Sequence, residues 1–133
     1  MNLLTDTHIF LWYITADARL PSEIAQAIRR PENQVHLSAV SLWECLVKHQ
    51  LGKLPLPQAP EIYLPLQRQH HGIAPLDLDE ASIRHLVRLP AIHRDPFDRM
   101  LICQAIEHAL VLVTVDEAIR RYPVTVFEAG REA

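Results

Sequence analysis

Two hydrophobic patterns alternate along the chain: short continuous apolar runs, and longer stretches in which apolar residues recur every three or four positions. The continuous runs predict strands, and they lie at 1–5, 34–37, 73–76, 110–115 and 124–127. The periodic stretches predict helices, and they lie at 8–14, 21–30, 38–51, 60–71, 77–89, 95–109 and in a short segment through 121. Strands that alternate with helices are typical of an α/β fold. We therefore expect an open, mostly parallel sheet of about five strands with helices on both faces, in a single domain over 1–133.

Local signals refine three of these elements. The β-branched run at 110–115 predicts a central strand that is buried on both faces. Pro75 lies within the 73–76 run and predicts an edge strand or a strand end, because proline cannot donate a ladder hydrogen bond. Gly52 and Gly72 follow predicted helices at positions where a left-handed cap is expected.

The composition excludes several classes of protein. Hydrophobic residues make up 49% and charged residues 22% of the chain, which is typical of a globular domain and not of a disordered one. Acidic residues interrupt the apolar runs, so no transmembrane span is expected. The first six residues carry no basic segment and end in Asp6, which argues against a signal peptide. Together with Cys45 and Cys103 inside predicted helices, this predicts a cytoplasmic protein without disulfides.

The charge balance limits how the chain can contact nucleic acid. Thirteen Lys and Arg residues against sixteen Asp and Glu residues give a formal net charge of −3. A protein that coats duplex nucleic acid is usually basic, so that function is disfavoured. An enzyme that contacts RNA through metal ions and a few arginines remains compatible with this charge.

Four acidic residues occupy equivalent places in the predicted fold. Asp6 and Asp116 directly follow predicted strands, whereas Glu44 and Asp98 lie in the first halves of the helices at 38–51 and 95–109. The carboxyl ends of parallel strands and the N-termini of the helices that follow them meet at the same edge of a sheet. We therefore expect the four carboxylates to converge.

Each acid alone also has a simpler explanation. Asp6 and Asp116 are suited to be helix N-caps, and Asp98, like Asp95, can complement a helix dipole. Glu44 can form a surface ion pair with Lys48, four residues later on the same helix.

A cluster of four carboxylates would need protons or a cation. Two carboxylates about 6 Å apart repel by roughly 3 kcal/mol at an effective dielectric constant of about 20, whereas a whole domain is stable by only about 5–15 kcal/mol. Oxygen ligands favour Mg²⁺ or Mn²⁺, and the eight histidines show no zinc-ligand spacing. A divalent ion held by acids is suited to phosphoryl-transfer chemistry, in which it activates a water molecule.

The sequence resembles the PIN-domain family, most closely the VapC-type toxins of bacterial toxin–antitoxin pairs. The resemblance rests on four successive motifs: LLTDTH at 3–8, SAVSLWE at 38–44, HRDPFDR at 93–99 and VTVD at 113–116. It implies that Asp6, Glu44, Asp98 and Asp116 bind Mg²⁺ or Mn²⁺ and cleave single-stranded or looped RNA. It further implies a homodimer and inhibition by a cognate antitoxin.

Further candidate residues flank these acids, and each keeps a second explanation. Ser41 can orient Glu44 or bond to its own helix backbone, and Thr7 and Thr114 can donate to the acids, although strand packing also accounts for Thr114. The flanking charged residues, which can grip phosphate or pair with one another, are Arg94, Asp95 and Arg99. Trp12 and Trp43 are expected in the core or at an interface, and the 8–14 helix in a dimer or antitoxin surface.

The sequence therefore predicts a metal-dependent endoribonuclease toxin. A PIN scaffold that binds RNA or protein without catalysis is the first alternative. An aspartyl-phosphate domain is the second, but Lys48 and Lys53 do not follow a late strand as its partner lysine would.

Overall fold

A four-stranded parallel sheet lies at the centre of the fold. The computed structural model describes residues 1–128. The strands, with the order β3-β2-β1-β4 across the sheet, are β1 (Asn2–Thr5), β2 (Gln34–Ser38), β3 (Ala74–Leu76) and β4 (Val111–Val113). Leu4 of β1 lies between His36 of β2 and Leu112 of β4. The α/β class and the edge position of the proline-containing strand are thus confirmed.

Two expectations about the sheet are wrong. The predicted strand at 124–127 contributes a single bridge, between Val126 and Leu112, so the sheet has four strands rather than about five. The strand β4 is also not central, because its only neighbour among the named strands is β1. Leu112 and Val113 are nevertheless fully buried. Burial beneath the helices, and not a central place in the ladder, explains the apolar run at 110–115.

The helices follow the predicted order. Six α-helices lie in the described residues, namely α1 (Thr7–Ile14), α2 (Ser22–Arg29), α3 (Ala39–Gln50), α4 (Pro60–His70), α5 (Glu80–Ile83) and α6 (Pro96–Glu107). The predicted helix at 77–89 is reduced to the short α5, capped by the Asp79 side chain, and a 3₁₀ segment at Arg84–Arg88. A second 3₁₀ segment spans Glu117–Arg121. Gly52 and Gly72 adopt positive φ angles of 72° and 67°, as the predicted helix ends require.

The two faces of the sheet bury two separate hydrophobic clusters. Adjacent residues of a strand point to opposite faces. Leu3 accordingly packs in one cluster with Ile9 of α1, and Leu4 packs in the other with Ile102 of α6. Helices therefore cover both faces, as predicted. This arrangement places the starts of α1, α3 and α6 at the carboxyl end of the sheet.

The structure also bears on the predictions that the chain has no disulfide and no membrane span. Cys45 and Cys103 are both buried and free. Within 1–128, no helix combines the length and the apolar character that a bilayer span requires.

Candidate active site

Asp6 is both a helix cap and a member of the acidic cluster. It follows β1, and its Oδ1 accepts a hydrogen bond of 2.8 Å from the Ile9 amide at the start of α1. Asp6 is only 6% exposed to solvent. Burial raises the pKa of Asp6 above its usual range and nearby Glu44 raises it further, while a hydrogen bond from the Thr114 side chain opposes both effects. The cap explanation is thus correct and does not exclude a role in the cluster.

Glu44 is held inside the protein by two polar neighbours. It lies on α3 and is only 1% exposed. Its Oε1 accepts a hydrogen bond of 2.6 Å from the Thr7 hydroxyl, and its Oε2 accepts one from the Lys48 ammonium. The ion pair with Lys48 that the simpler explanation offers therefore exists, but it is only partly at the surface, because the Lys48 side chain is 35% exposed and that of Glu44 only 2%.

Ser41 supports this arrangement from one helical turn earlier. Its Oγ lies 2.9 Å from Thr7 Oγ1. Since Thr7 gives its single hydroxyl proton to Glu44, the Ser41 hydroxyl must donate to Thr7. Ser41 thus orients Glu44 through Thr7 rather than by direct contact.

Asp98 is close enough to three other acids for their negative charges to affect its ionisation. It is in the first turn of α6, and its pKa is raised to about 7. Burial is the largest cause, followed by the negative charges of Asp95, Glu44 and Asp6, and His93 acts in the opposite direction. Carboxylates from β1, α3 and α6 therefore come close enough to oppose the ionisation of Asp98.

Asp116 joins the cluster from the end of β4. Its Oδ1 caps the following 3₁₀ segment by accepting from the Ala118 amide at 2.9 Å, and its own amide donates to Thr114 Oγ1 at 3.0 Å. Its Oδ2 is directed towards His93, at 2.9 Å. The Ala118 amide and the His93 ring thus each hold one oxygen of this carboxylate.

His93 is a site residue that the sequence interpretation did not single out. Its Nε2 lies 2.9 Å from Asp116 Oδ2 and 3.4 Å from Asp98 Oδ2. Its Nδ1 accepts a hydrogen bond of 3.1 Å from the Asp95 amide. A neutral imidazole that accepts at Nδ1 carries its proton on Nε2, so His93 donates towards both acids. The sequence feature that could have identified it is its place in the HRDPFDR motif, two residues before the N-cap of α6.

Asp95 has a clear structural role. Its Oδ1 accepts from the amides of Phe97 at 2.8 Å and Asp98 at 3.4 Å, so it is the N-cap of α6. Its negative charge also raises the pKa of Asp98. The capping alternative is therefore correct, and a direct catalytic role for Asp95 stays a prediction.

The two flanking arginines lie in different surroundings. Arg99 Nη1 donates to the Pro90 carbonyl at 2.8 Å and contacts Tyr122 Oη at 3.3 Å. Tyr122 Oη also accepts from the His93 amide at 2.6 Å. Arg99 thus stabilises the loop that carries His93, whereas Arg94 is exposed, and a phosphate contact for either stays a prediction.

Trp43 lies at the surface and not in the core. It is 56% exposed, and its ring meets Phe97 edge to face with the ring centroids 4.8 Å apart. Trp12 is half-buried against the cluster that contains Leu3. Of the two expected environments for Trp43, only an interface is compatible with this exposure.

The donor set fits a hard divalent cation. One oxygen each from Asp98 and Asp116 and a ring nitrogen of His93 lie within 4.8 Å of one another. Since His93 carries its proton on Nε2 here, the two carboxylate oxygens are the ligands that this group offers. The negative charges of Asp6 and Glu44 also reach Asp98. Carboxylate oxygens are the ligands that Mg²⁺ and Mn²⁺ prefer. A cation among them would favour the ionised form of Asp98, whose pKa burial and then the neighbouring acids raise to about 7.

The fold and this acidic edge together define a known class of domain. The PIN domain family model matches residues 3–124, and the chain belongs to that family. Among its relatives, Ribonuclease VapC16 of Mycobacterium tuberculosis is 35% identical over 72 residues, which cover 54% of this chain and 50% of that protein. Ribonuclease VapC22 of the same organism is 28% identical over 133 residues, covering 95% of this chain and 98% of that protein.

A solved structure shares the fold at lower sequence identity. It is that of VapBC2 from Rickettsia felis bound to a DNA fragment from its promoter. The superposition has a TM-score of 0.72 at 16% identity and covers 96% of this chain and 98% of the other.

Proposed function

We propose that this protein is a metal-dependent endoribonuclease and the toxin of a toxin–antitoxin pair. Its metal-binding acids are Asp6, Glu44, Asp98 and Asp116, and its cofactor is Mg²⁺ or Mn²⁺. The observation that carries the proposal is the convergence on Asp98: Asp6 and Glu44 raise its pKa, and His93 connects it to Asp116. Two related proteins that are named ribonucleases support RNA as the substrate.

The side chains of the cluster are oriented before any ligand arrives. Ile9 and Thr114 fix Asp6, Thr7 and Lys48 fix Glu44, and Ala118 and His93 fix Asp116 by the contacts described above. Ligands that are already oriented lose little conformational entropy on binding, and such preorganisation is a large part of catalysis by charged groups. Asp98 must lose its proton before both of its oxygens are available. Held by these acids, a divalent ion would supply Lewis-acid activation of the phosphate and of the attacking water.

The negative charge of the chain implies that the metal ion is needed for RNA binding as well as for the cleavage step. The net charge of −3 and the acidic cluster both repel a phosphodiester. A divalent cation would offset part of this negative charge and would give a phosphate oxygen a direct electrostatic partner. Exposed Arg94, next to the α6 cap, is a proposed phosphate contact.

A groove beside the site is the proposed binding surface for the antitoxin. It has a volume of about 580 Å³ and extends from Thr7 and Lys48 along α1, with a lining that includes Leu11, Trp12 and Leu54. A mostly apolar groove of this kind suits a helical or extended peptide segment. The VapBC complex that shares the fold supports an antitoxin partner, and we propose a homodimer as the assembly that carries it.

An RNA-cleavage assay tests this function. Cleavage of a structured RNA with single-stranded loops should appear with millimolar Mg²⁺ or Mn²⁺, stop on chelation, and be lost in Asp6→Asn. Addition of the cognate antitoxin should suppress it. RNA binding without cleavage at any divalent ion would contradict the proposal and favour the non-catalytic scaffold.

A further inference from the structure

Lys48 brings a positive charge into the acidic site. Its ammonium contacts Glu44 Oε2, and its side chain is 35% exposed, against 2% for the side chain of Glu44. Asp95 and Asp98 also act on this ammonium electrostatically. Lys48 thus contacts Glu44 directly and lies within electrostatic range of Asp95 and Asp98 at the start of α6.

Its charge is retained in the folded protein. A lysine ammonium is protonated at neutral pH in water, and its contact with the Glu44 carboxylate favours the same charged form in the folded protein. The ammonium is therefore a permanent positive charge at neutral pH.

Both carboxylate oxygens of Glu44 already accept hydrogen bonds, whereas the other three acids of the cluster have no lysine or arginine partner among their contacts described above. Oε1 accepts from Thr7 and Oε2 accepts from Lys48. The charge of Glu44 is thereby largely offset within the protein. The carboxylates of Asp6, Asp98 and Asp116 accept hydrogen bonds from amides, a hydroxyl and an imidazole, and none of those contacts supplies a lysine or arginine cation.

We propose that Lys48 takes the place of a second divalent cation, so that the protein binds a single Mg²⁺ or Mn²⁺ on the side of Asp6, Asp98 and Asp116. This inference rests on the proposed function, because it concerns the metal of the same site. Of the four acids proposed above as metal ligands, Glu44 then serves mainly as the anchor of Lys48, and Asp6, Asp98 and Asp116 remain as the ligands. Lys48 is a positioning residue that sets how many ions bind.

The alternative role of Lys48 predicts the opposite effect on metal binding. If Lys48 only held Glu44 in place as a metal ligand, its removal would weaken binding of the ion. If Lys48 replaces a second ion, its removal abolishes the repulsion between the Lys48 ammonium and the bound metal ion. It also leaves the buried Glu44 carboxylate without a counter-charge. The direction of the change in affinity therefore separates the two roles.

The experiment is a titration of the intact protein with Mn²⁺, in which free Mn²⁺ is followed by its electron paramagnetic resonance signal. The wild type should bind one ion. Lys48→Met should bind a second ion, or bind the first about tenfold more tightly. Lys48→Arg, which keeps the charge, should match the wild type, and so should Lys53→Met, a matched control at the chain's other lysine, which is exposed.

A melting curve without metal adds a second measurement. Lys48→Met should melt at a lower temperature than the wild type, and Mn²⁺ should restore more stability to it than to the wild type. If Lys48→Met does not fold, the double variant Lys48→Met with Glu44→Gln removes both charges and should bind one ion. The wild-type stoichiometry tests the inference without any variant.

Three results would overturn the inference. They are two Mn²⁺ ions of similar affinity on the wild type, weaker Mn²⁺ binding by Lys48→Met, or a Lys48→Met titration identical to that of the wild type. RNA cleavage is assayed separately, so these results remain distinguishable from failure of the proposed function. A wild type that cleaves RNA but binds two ions contradicts only the role of Lys48, whereas one that binds one ion but cleaves no RNA contradicts only the ribonuclease activity.

Discussion

Replacing Asp98 by asparagine should lower the rate of RNA cleavage in Mn²⁺ by at least about a hundredfold. The substitution removes the carboxylate on which the other acids converge while preserving its shape. The protein should stay folded, because the charge that is lost is the one that Asp95, Glu44 and Asp6 oppose. The rate is best measured under single-turnover conditions, with melting curves of both proteins in the absence of metal.

Glu117→Gln is the matched control for this variant. Glu117 directly follows Asp116 and is exposed, and its contact is a surface ion pair with Arg120. Its substitution should change neither the cleavage rate nor the melting temperature appreciably. An Asp98→Asn protein that is folded and cleaves RNA as fast as the wild type would remove Asp98 from the catalytic machinery.

Mn²⁺ binding should depend steeply on pH below neutrality. The pKa of Asp98 is raised to about 7 in the absence of metal, chiefly by burial and then by the surrounding acids. Since a carboxyl group must lose its proton to bind a cation, the affinity should rise by up to about tenfold per pH unit below pH 7 and level off above it. Mn²⁺ titrations between pH 5.5 and 8.5 measure this, and an affinity that does not change over that range would contradict it.

The same raised pKa should affect the stability of the metal-free protein. The folded state holds the Asp98 proton more tightly than the unfolded chain does, because in the unfolded chain this carboxyl group is solvated and has the ordinary aspartate pKa of about 3.9. Stability should therefore fall as the pH rises from about 4 to about 7, since the unfolded chain binds fewer protons over that range. In Asp98→Asn this fall should be smaller, and the part that remains should come mainly from Asp6, whose pKa is also raised. Urea denaturation of both proteins at several pH values measures the difference.

The meeting of the acids could be predicted from the sequence because it follows from topology. Asp6 comes directly after β1, and Asp116 comes three residues after the last residue of β4. Since β1 and β4 are adjacent and parallel, both acids lie at the same edge of the sheet. Glu44 and Asp98 lie near the starts of helices at the same end of the sheet. No side-chain detail was needed for this part of the prediction.

The contacts that tune the acids could not be read from the same pattern. The burial of Glu44 in its pair with Lys48 depends on how α3 packs against α1 and α6, and a spacing of four residues says nothing about that packing. His93 acts through a tautomer that the Asp95 amide imposes, a contact that exists only once the loop before α6 is folded. The missing fifth strand could not be predicted either, because it depends on how far the 124–127 segment pairs with its neighbour. The segment forms one bridge to β4, which is only three residues long.

Crystals soaked in Mn²⁺ and measured at the manganese absorption edge test the central claim most directly. An anomalous peak should lie at bonding distance from an Asp98 oxygen and from an oxygen of Asp6 or Asp116. A peak bound only at other carboxylates, or a fully soaked crystal in which these three acids hold no ion, would contradict a metal-dependent site at this edge of the sheet.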